Sequence, residues 1–225
     1  MNLEIPPQIQ PEMPAVFKIN TDDTVSKNLS KLKQTQEKPE ILPLVPEDHP
    51  LLKQVLPEFD FANAPVNPNQ FASALVETCK HYRGYGLSAN QCGFNHRVFV
   101  MGAEDQYVAF FNPKLINTED ETHMIEGCLS FPMLGLRITR PKTIDVEYQD
   151  FNGIVRTQRF SGISARCFLH ELDHMNGIVY TDRAKPLALK SGLDKRTKAI
   201  KQMGKYHAYM KAQELINEQK SRKAN

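Results

Sequence analysis

His170-Glu171-Leu172-Asp173-His174 places two histidines four residues apart with a glutamate between them. On an α-helix, residues i and i+4 project from the same face, so both imidazoles can reach one metal ion. Glu171 lies beside them, where a carboxylate can take a proton from metal-bound water without being a ligand itself. The pattern is typical of a metallohydrolase, and the alternative is a surface helix with two titrating histidines.

The composition predicts a soluble globular protein. A chain of 225 residues is long enough for one well-buried domain plus tails, and 40% hydrophobic with 24% charged residues fits a folded chain. The net charge of +2 gives no general indication of a nucleic acid or an acidic substrate. No apolar run approaches the roughly 18 residues that a membrane-spanning helix needs, so we expect no membrane association.

The N-terminal residues and the cysteines favour a cytoplasmic location. Residues 1–14 lack the basic and apolar regions of a secretory signal, and no arginine precedes Arg83, which argues against an organelle transit peptide. Without a signal, the four cysteines are expected to be reduced thiols or metal ligands. They are Cys79, Cys92, Cys128 and Cys167.

Glycine, proline and charge divide the chain into three parts. No glycine precedes Gly84, and residues 1-39 are polar with little periodicity, so we expect a flexible N-terminal arm. Residues 40-186 are expected to form the folded domain, followed by a helical extension over residues 187-225. From Lys190 onward there are ten basic and three acidic residues, a charge of +7 that leaves −5 on the rest of a chain totalling +2.

A first helix and four strands are predicted before the histidine motif. Asn67-Pro68 is typical of a helix start, with Asn67 as cap and Pro68 at the first helical position, and the helix should end before Gly84. Asp150 to Gly153 resembles a hairpin turn between the last two strands. The predicted strands are Arg97 to Met101, Tyr107 to Phe111, Thr143 to Gln149 and Ile154 to Phe160.

The histidine motif itself is predicted to lie on a helix. Ser161 is expected to cap a helix running from about Ile163 to Met175, ended by Asn176-Gly177. The C-terminal part is also helical in composition. We expect that segment to run from Leu187 to Lys220, with breaks at Gly192 and Gly204.

Two cysteines compete to be the third ligand that a catalytic metal site usually has. Cys167 lies on the histidine face, but it is seven residues from His174, which is about 10 Å along a helix axis. We therefore expect Cys167 to line a pocket, or to be a buried core thiol. Cys128 follows Gly127 and could complete a Cys-His-His set, with a buried structural cysteine as the alternative.

Three segments together resemble a known family. They are Gly84-Tyr85-Gly86-Leu87-Ser88-Ala89-Asn90-Gln91, Glu126-Gly127-Cys128-Leu129-Ser130 and the histidine motif, in that order. They closely resemble the signature motifs of peptide deformylases, metalloenzymes that remove the formyl group from nascent N-formylmethionine chains. The resemblance covers about residues 41 to 185. It implies an α+β fold, with mixed or antiparallel β-sheets packed around a central metal-binding helix and a C-terminal helix.

The resemblance also assigns the chemistry. It implies a divalent metal, most often Fe²⁺ and in purified protein Zn²⁺, Ni²⁺ or Co²⁺, held by Cys128, His170 and His174. Water on the metal would attack the formyl carbon, with Glu171 as general base and then general acid. The oxyanion would be stabilised by two donors. These are the side-chain amide of Gln91 and the backbone N–H of Leu129.

The same resemblance suggests how the substrate binds. The formylated peptide is expected to extend along Tyr85, Gly86 and Gly127, and its methionine side chain to enter an apolar pocket lined by Ile163 and Cys167 together with His170. Ser88 stands where the family often has alanine, a change between small residues that we expect to be tolerated. Near the ligands we expect contacts from the carboxylates to arginines, with ordinary structural ion pairs as the alternative. The groups concerned are Glu126, Asp173, Arg140 and Arg166.

Partners are predicted from charge and from the resemblance. N-formylmethionyl nascent peptides are the expected substrates. In some members of the family a C-terminal helix is implicated in ribosome contact. The basic extension here could dock on ribosomal RNA, with a solvated lysine-rich helix as the alternative. We expect a monomer. The alternative functions are a metalloprotease for internal peptide bonds and a ribosome-binding protein with a vestigial site.

Overall fold

A five-stranded antiparallel sheet in the order β1-β2-β3-β4-β5 carries the fold. The computed structural model describes residues 41–224, so the predicted arm over residues 1-39 lies outside the described residues. The α+β prediction is confirmed, with every strand pair of this sheet antiparallel. The strands are β1 (Gly86–Ser88), β2 (Val98–Ala103), β3 (Gln106–Cys128), β4 (Phe131–Gln149) and β5 (Val155–Ser161).

Four α-helices accompany the sheet in the described part of the chain, and the predicted start of the first is confirmed. The side chain of Asn67 accepts a hydrogen bond from the N–H of Gln70 at 3.1 Å, which satisfies an otherwise unpaired donor of the first turn. Single 3-10 turns cover Pro50–Lys53 and Ala89–Cys92. The helices are α1 (Pro68–His81), α2 (Gly162–Met175), α3 (Tyr180–Arg183) and α4 (Pro186–Ala224).

Strands β3 and β4 are much longer than the sequence predicted. Most of β3 beyond Pro113 is exposed and polar, so it lacks the alternation of apolar residues that marks a half-buried strand. Pairing with β4 supports it instead, from Phe111 opposite Gln149 to Cys128 opposite Phe131, with three register shifts. This long hairpin brings Cys128 to its turn, beside helix α2.

Helix α2 is the centre of the fold and the most completely buried helix. It packs against β1, β2, β4 and β5, and all its residues from Ala165 to Met175 are buried. Phe168 meets the rings of Phe99 and Phe110 edge to face, with centroids 5.1 and 5.4 Å apart. The predicted helix is confirmed, except that Ser161 occupies the cap position without a side-chain capping bond.

Helix α4 is continuous, so the predicted breaks at Gly192 and Gly204 are wrong. A Cβ at Gly192 would lie 2.6 Å from Leu136 Cδ2, so glycine lets this helix pack closely on β4. Gly204 has open space around it, and one glycine costs a helix only about 1 kcal/mol. None of the helices within residues 41–224 combines the length and apolar character that a membrane crossing requires.

Candidate metal centre

Three potential ligands meet between the β3–β4 turn and helix α2. Cys128, His170 and His174 offer ligand atoms that all lie within 4.8 Å of one another. Within this cluster, Cys128 Sγ and His174 Nε2 are 3.4 Å apart. Two ligands of a tetrahedral site with bonds of 2.0–2.3 Å are separated by roughly 3.5 Å. The cluster therefore fits a divalent metal, and of the two competing cysteines it contains Cys128.

Cys167 lies outside this ligand cluster and matches both predicted alternatives. It is buried in a hydrophobic core cluster that the sheet shares with helix α2, and it also lines the cavity next to the potential ligands. Burial raises the pKa of its thiol well above the ordinary value, with the neighbouring Glu171 carboxylate adding to the effect. A neutral, inert thiol suits an apolar cavity wall.

Glu126 connects His170, one of the three potential ligands, to two arginines. Its carboxylate accepts hydrogen bonds from Arg140 at 2.7 Å and from Arg166 at 2.6 Å, and lies 3.0 Å from His170 Nδ1. Arg140 also bonds Asp173 at 2.7 Å. The predicted contacts are therefore present, and unlike an ordinary structural ion pair they include one of the potential ligands. By holding Nδ1, Glu126 leaves Nε2 of His170 for a metal.

The ionisation of Glu126 follows from these contacts. Burial acts to raise the pKa of its carboxyl, but the hydrogen bonds from His170 and Arg140 outweigh burial and lower the pKa to about 2. The charge of Arg140 acts in the same direction. Glu126 is therefore a carboxylate at neutral pH and a constant acceptor for the His170 ring.

Glu171 projects into the same cavity from helix α2. It is 4% exposed, and burial raises the pKa of its carboxyl, while His170 and the hydrogen bond from Ser88 oppose the rise. Ser88 Oγ donates to Glu171 Oε2 at 2.7 Å. A Cβ at Gly86 would lie only 2.5 Å from Glu171 Oε1, so the glycine provides the space that this carboxylate occupies.

Gln91 is held in one orientation by its neighbours. Its Oε1 accepts a hydrogen bond from the N–H of Ser88 at 2.9 Å. This fixes Nε2 on the opposite side, where it donates to Ser130 Oγ at 3.0 Å and lies 3.4 Å from Cys128 Sγ. The amide donor thus faces the ligand cluster from the turn that follows β1, a region where glycines allow close approach of the backbone.

A cavity of about 420 Å³ opens onto these groups and is lined by all the predicted substrate contacts. Its size is that of a small-ligand pocket. Three lining residues, Arg83, Met124 and Ile125, were not predicted from the sequence, because they flank the motifs and belong to no motif themselves. The predicted residues that line it are Tyr85, Gly86, Gln91, Gly127, Cys128, Leu129, Ile163, Cys167, His170 and Glu171.

Comparison with known proteins identifies the family. The family profile described as polypeptide deformylase matches residues 41–190, which is more than half of the chain. The chain belongs to the polypeptide deformylase family. It is therefore an enzyme of the deformylase type, and the alternatives of a metalloprotease and of a protein with a vestigial site are not supported.

Individual deformylases show how far the similarity extends. The peptide deformylase of Rhizobium meliloti is 34% identical over 170 residues, which is 73% of this chain and 97% of that protein. A peptide deformylase from Synechococcus elongatus, solved in complex with actinonin, has a TM-score of 0.65 and 32% identity over 72% of this chain and 88% of that one. The Thermotoga maritima enzyme has a TM-score of 0.60 and 34% identity over 65% of this chain and 99% of that one. The predicted resemblance is thus confirmed.

Two deformylase site features became visible only in the structure. Ser130 belongs to the second motif, but its hydrogen bond with Gln91 gives it a role that the motif alone does not suggest. Ser88 was expected to matter only as a small side chain, yet its hydroxyl reaches Glu171. In both cases the hydrogen-bond partner is about 40 or more positions away in sequence, so no local sequence pattern predicts the contact.

Proposed function

We propose that the protein removes the formyl group from N-formylmethionyl nascent peptides by metal-dependent hydrolysis. The observation that carries this proposal is the cluster of Cys128, His170 and His174. This cluster lies beside a cavity whose lining includes Cys128, His170 and Glu171. The family of the chain supports the reaction, and the donor set supports the metal. A bound divalent metal would activate a water molecule and polarise the formyl oxygen.

Glu171 is the proposed proton carrier. Its carboxylate lines the cavity next to His170, so it can accept a proton from the attacking water. It would then deliver that proton to the amine that leaves when the C–N bond of the formyl amide breaks. The buried position of Glu171 keeps bulk water from competing for the proton.

Gln91 and Leu129 are the proposed donors to the oxyanion that forms on the formyl carbon. The Nε2 of Gln91 is already oriented toward the ligand cluster, so it needs little reorganisation to donate. Leu129 follows Cys128 directly and lines the cavity, which supports its backbone N–H as the second donor. A hydrogen-bond donor that is already oriented before the reaction begins stabilises the transition state more than a donor that must reorient during the reaction.

The peptide is proposed to bind in extended form beside β1. Among residues 41–224, β1 is an edge strand of the sheet, so within this part of the chain one side of Gly86 has no strand partner and could pair with a peptide. Tyr85 and Gly127 line the same cavity. The methionine side chain would enter between Ile163 and the neutral thiol of Cys167, next to His170, where the wall is largely apolar.

The test of this proposal is turnover of a formyl-Met-Ala-Ser peptide by protein purified without oxygen. Release of formate that depends on a stoichiometric divalent metal is the expected result. The same peptide without its formyl group is the matched control for cleavage of internal bonds. A metal-loaded protein that releases no formate would contradict the proposal.

Iron is the proposed metal, with Zn²⁺, Ni²⁺ or Co²⁺ as possible occupants in purified protein. An iron site predicts that the activity of the enzyme is sensitive to air. Fe²⁺ and the thiolate of Cys128 are both oxidisable, whereas Ni²⁺ and Co²⁺ resist oxidation under these conditions. We expect the iron enzyme to lose activity in air faster than the nickel or cobalt enzyme. Half-lives of activity measured in air and under argon test this, and equal aerobic half-lives for iron and nickel would contradict it.

We also propose that the protein docks on the ribosome through α4. The proposed location is the cytoplasm, where nascent chains emerge, and the proposed state is a monomer. Lys198, Lys201 and Lys205 are exposed and lie close together around the helix, since they are three, four and seven residues apart. Such a basic face suits the phosphates of ribosomal RNA. Truncation of α4 would be a poor test, because Gly192 and Arg196 anchor this helix to the catalytic body.

Charge substitution gives a cleaner test of docking. Changing Lys201 and Lys205 to glutamine is expected to weaken ribosome binding and to reduce its dependence on salt, because two phosphate contacts are removed. Cosedimentation with ribosomes at several salt concentrations measures both effects. The control changes two exposed lysines of the sheet, Lys114 and Lys142, by the same charge. Equal binding by the two double variants would contradict docking through α4.

A further inference from the structure

Ser88 contacts both of the polar side chains assigned to the reaction. It is fully buried at the end of β1. Its hydroxyl donates to Glu171 Oε2 at 2.7 Å, and its backbone N–H donates to Gln91 Oε1 at 2.9 Å. One residue therefore touches the proposed general base and the proposed oxyanion donor at the same time.

The carboxylate of Glu171 is confined between two residues of β1. Side chains two apart on a strand share a face, so Gly86 and Ser88 both face Glu171. Oε1 lies against Gly86, where a Cβ would approach to 2.5 Å, while Oε2 is bonded to the Ser88 hydroxyl. Within residues 41–224, that hydroxyl is the only hydrogen-bond donor to this carboxylate.

The Ser88 hydroxyl restricts rotation about the last side-chain torsion of Glu171. The last torsion of a glutamate side chain has a broad and roughly two-fold profile, so packing alone does not fix the plane of the carboxylate. A hydrogen bond to one oxygen does fix it. Loss of the donor would leave Oε2 buried without a partner, and the group would turn to find another.

We propose that Ser88 is a positioning residue, whose hydroxyl holds the Glu171 carboxylate in the orientation in which it accepts a proton from the reacting water. The inference rests on the proposed function, because it assigns to Ser88 an effect on the base of that reaction. It gives the serine a role beyond the small size that the sequence predicted. The proton itself is still carried by Glu171, and Ser88 acts through it.

Ser88→Ala isolates the hydroxyl, because the substitution removes only the oxygen atom of the side chain and keeps the Cβ. We expect kcat for formyl-Met-Ala-Ser to fall by about tenfold, since a misdirected reacting group and a lost bond to a charge both cost this order of rate. KM and metal content should not change. A crystal structure of the variant should show the Glu171 carboxylate turned or in more than one orientation. Ser88→Thr keeps the donor and should recover part of kcat.

Thr78→Val is the matched control. Thr78 is also fully buried, and its hydroxyl accepts a hydrogen bond from the N–H of Leu42 at 2.9 Å, away from the cavity. This variant should lose stability and keep its kcat. Melting temperatures of all the variants show whether Ser88→Ala loses rate beyond what general destabilisation causes.

The outcomes separate this inference from the proposed function. A Ser88→Ala enzyme with near wild-type kcat and an unmoved carboxylate would overturn the positioning role, as would an equal loss of kcat in Thr78→Val. If the wild type itself releases no formate, the proposed function fails. Crystal structures of the wild type and of Ser88→Ala then still test the positioning role. An unmoved Glu171 carboxylate in the variant overturns that role, and a turned carboxylate supports it.

Discussion

Replacing Glu171 with alanine is expected to lower kcat for a formylated peptide by about 10³-fold, because general acid–base groups contribute 10²–10⁴-fold to enzymatic rates. The metal should remain bound, since the cluster of possible ligands consists of Cys128, His170 and His174 and does not include Glu171. Formate release and metal content are measured on the same anaerobic preparation. The effect is expected in kcat more than in KM, because the proton is transferred in the transition state.

Glu171→Gln is the matched control for this change. It keeps the volume of the side chain and an oxygen that can still accept the bond from Ser88, but it cannot take up a proton. We expect it to be as inactive as Glu171→Ala and closer to the wild type in stability. A metal-loaded Glu171→Ala enzyme that retains most of its activity would contradict the role of Glu171 as general base.

The histidine pair was accessible from sequence because it depends on one local element. Residues 170 and 174 share a helical face in any α-helix, so their spacing already places them together. The third ligand was different. Helical geometry could argue against Cys167, but it could not choose Cys128, since that choice depends on how β3 and β4 pair over their whole length.

The polar course of β3 explains why its length was not predicted. Periodicity detects a strand through one buried face, and the part of β3 beyond Pro113 largely has none. The unbroken α4 shows the opposite limit. Gly192 has a low intrinsic helix propensity, but the absence of a side chain allows α4 to pack closely against Leu136. Local sequence rules do not include this tertiary contact.

The buried ion network shows how the fold prepares the site. Glu126 lies two residues before Cys128 on β3, and His170 lies on α2, so one carboxylate links the two elements that supply the ligands. Arg140 on β4 joins the same carboxylate to Asp173 of α2. The orientation of the imidazole and the packing of the helix on the sheet therefore depend on the same few charges.

Removal of Glu126 should for this reason affect stability and metal binding together. In Glu126→Ala, Arg140 and Arg166 each lose a buried partner, and breaking a buried ion pair on one side costs about 3–5 kcal/mol of unfolding free energy. His170 loses the acceptor for Nδ1, and loss of such a partner typically weakens metal binding by about 10–100-fold. Denaturant unfolding of the metal-free protein and metal titration measure the two effects separately.

Glu119→Ala provides the control on the same strand. Glu119 forms an ion pair with Arg159, but both side chains are about half exposed, and pairs of this kind contribute about 0–1 kcal/mol. We expect this variant to unfold near the wild-type midpoint and to bind metal normally. If Glu126→Ala behaved in the same way, the buried network would be a passive ion pair. If it lost stability alone, Glu126 would hold the helix on the sheet without orienting the His170 ring.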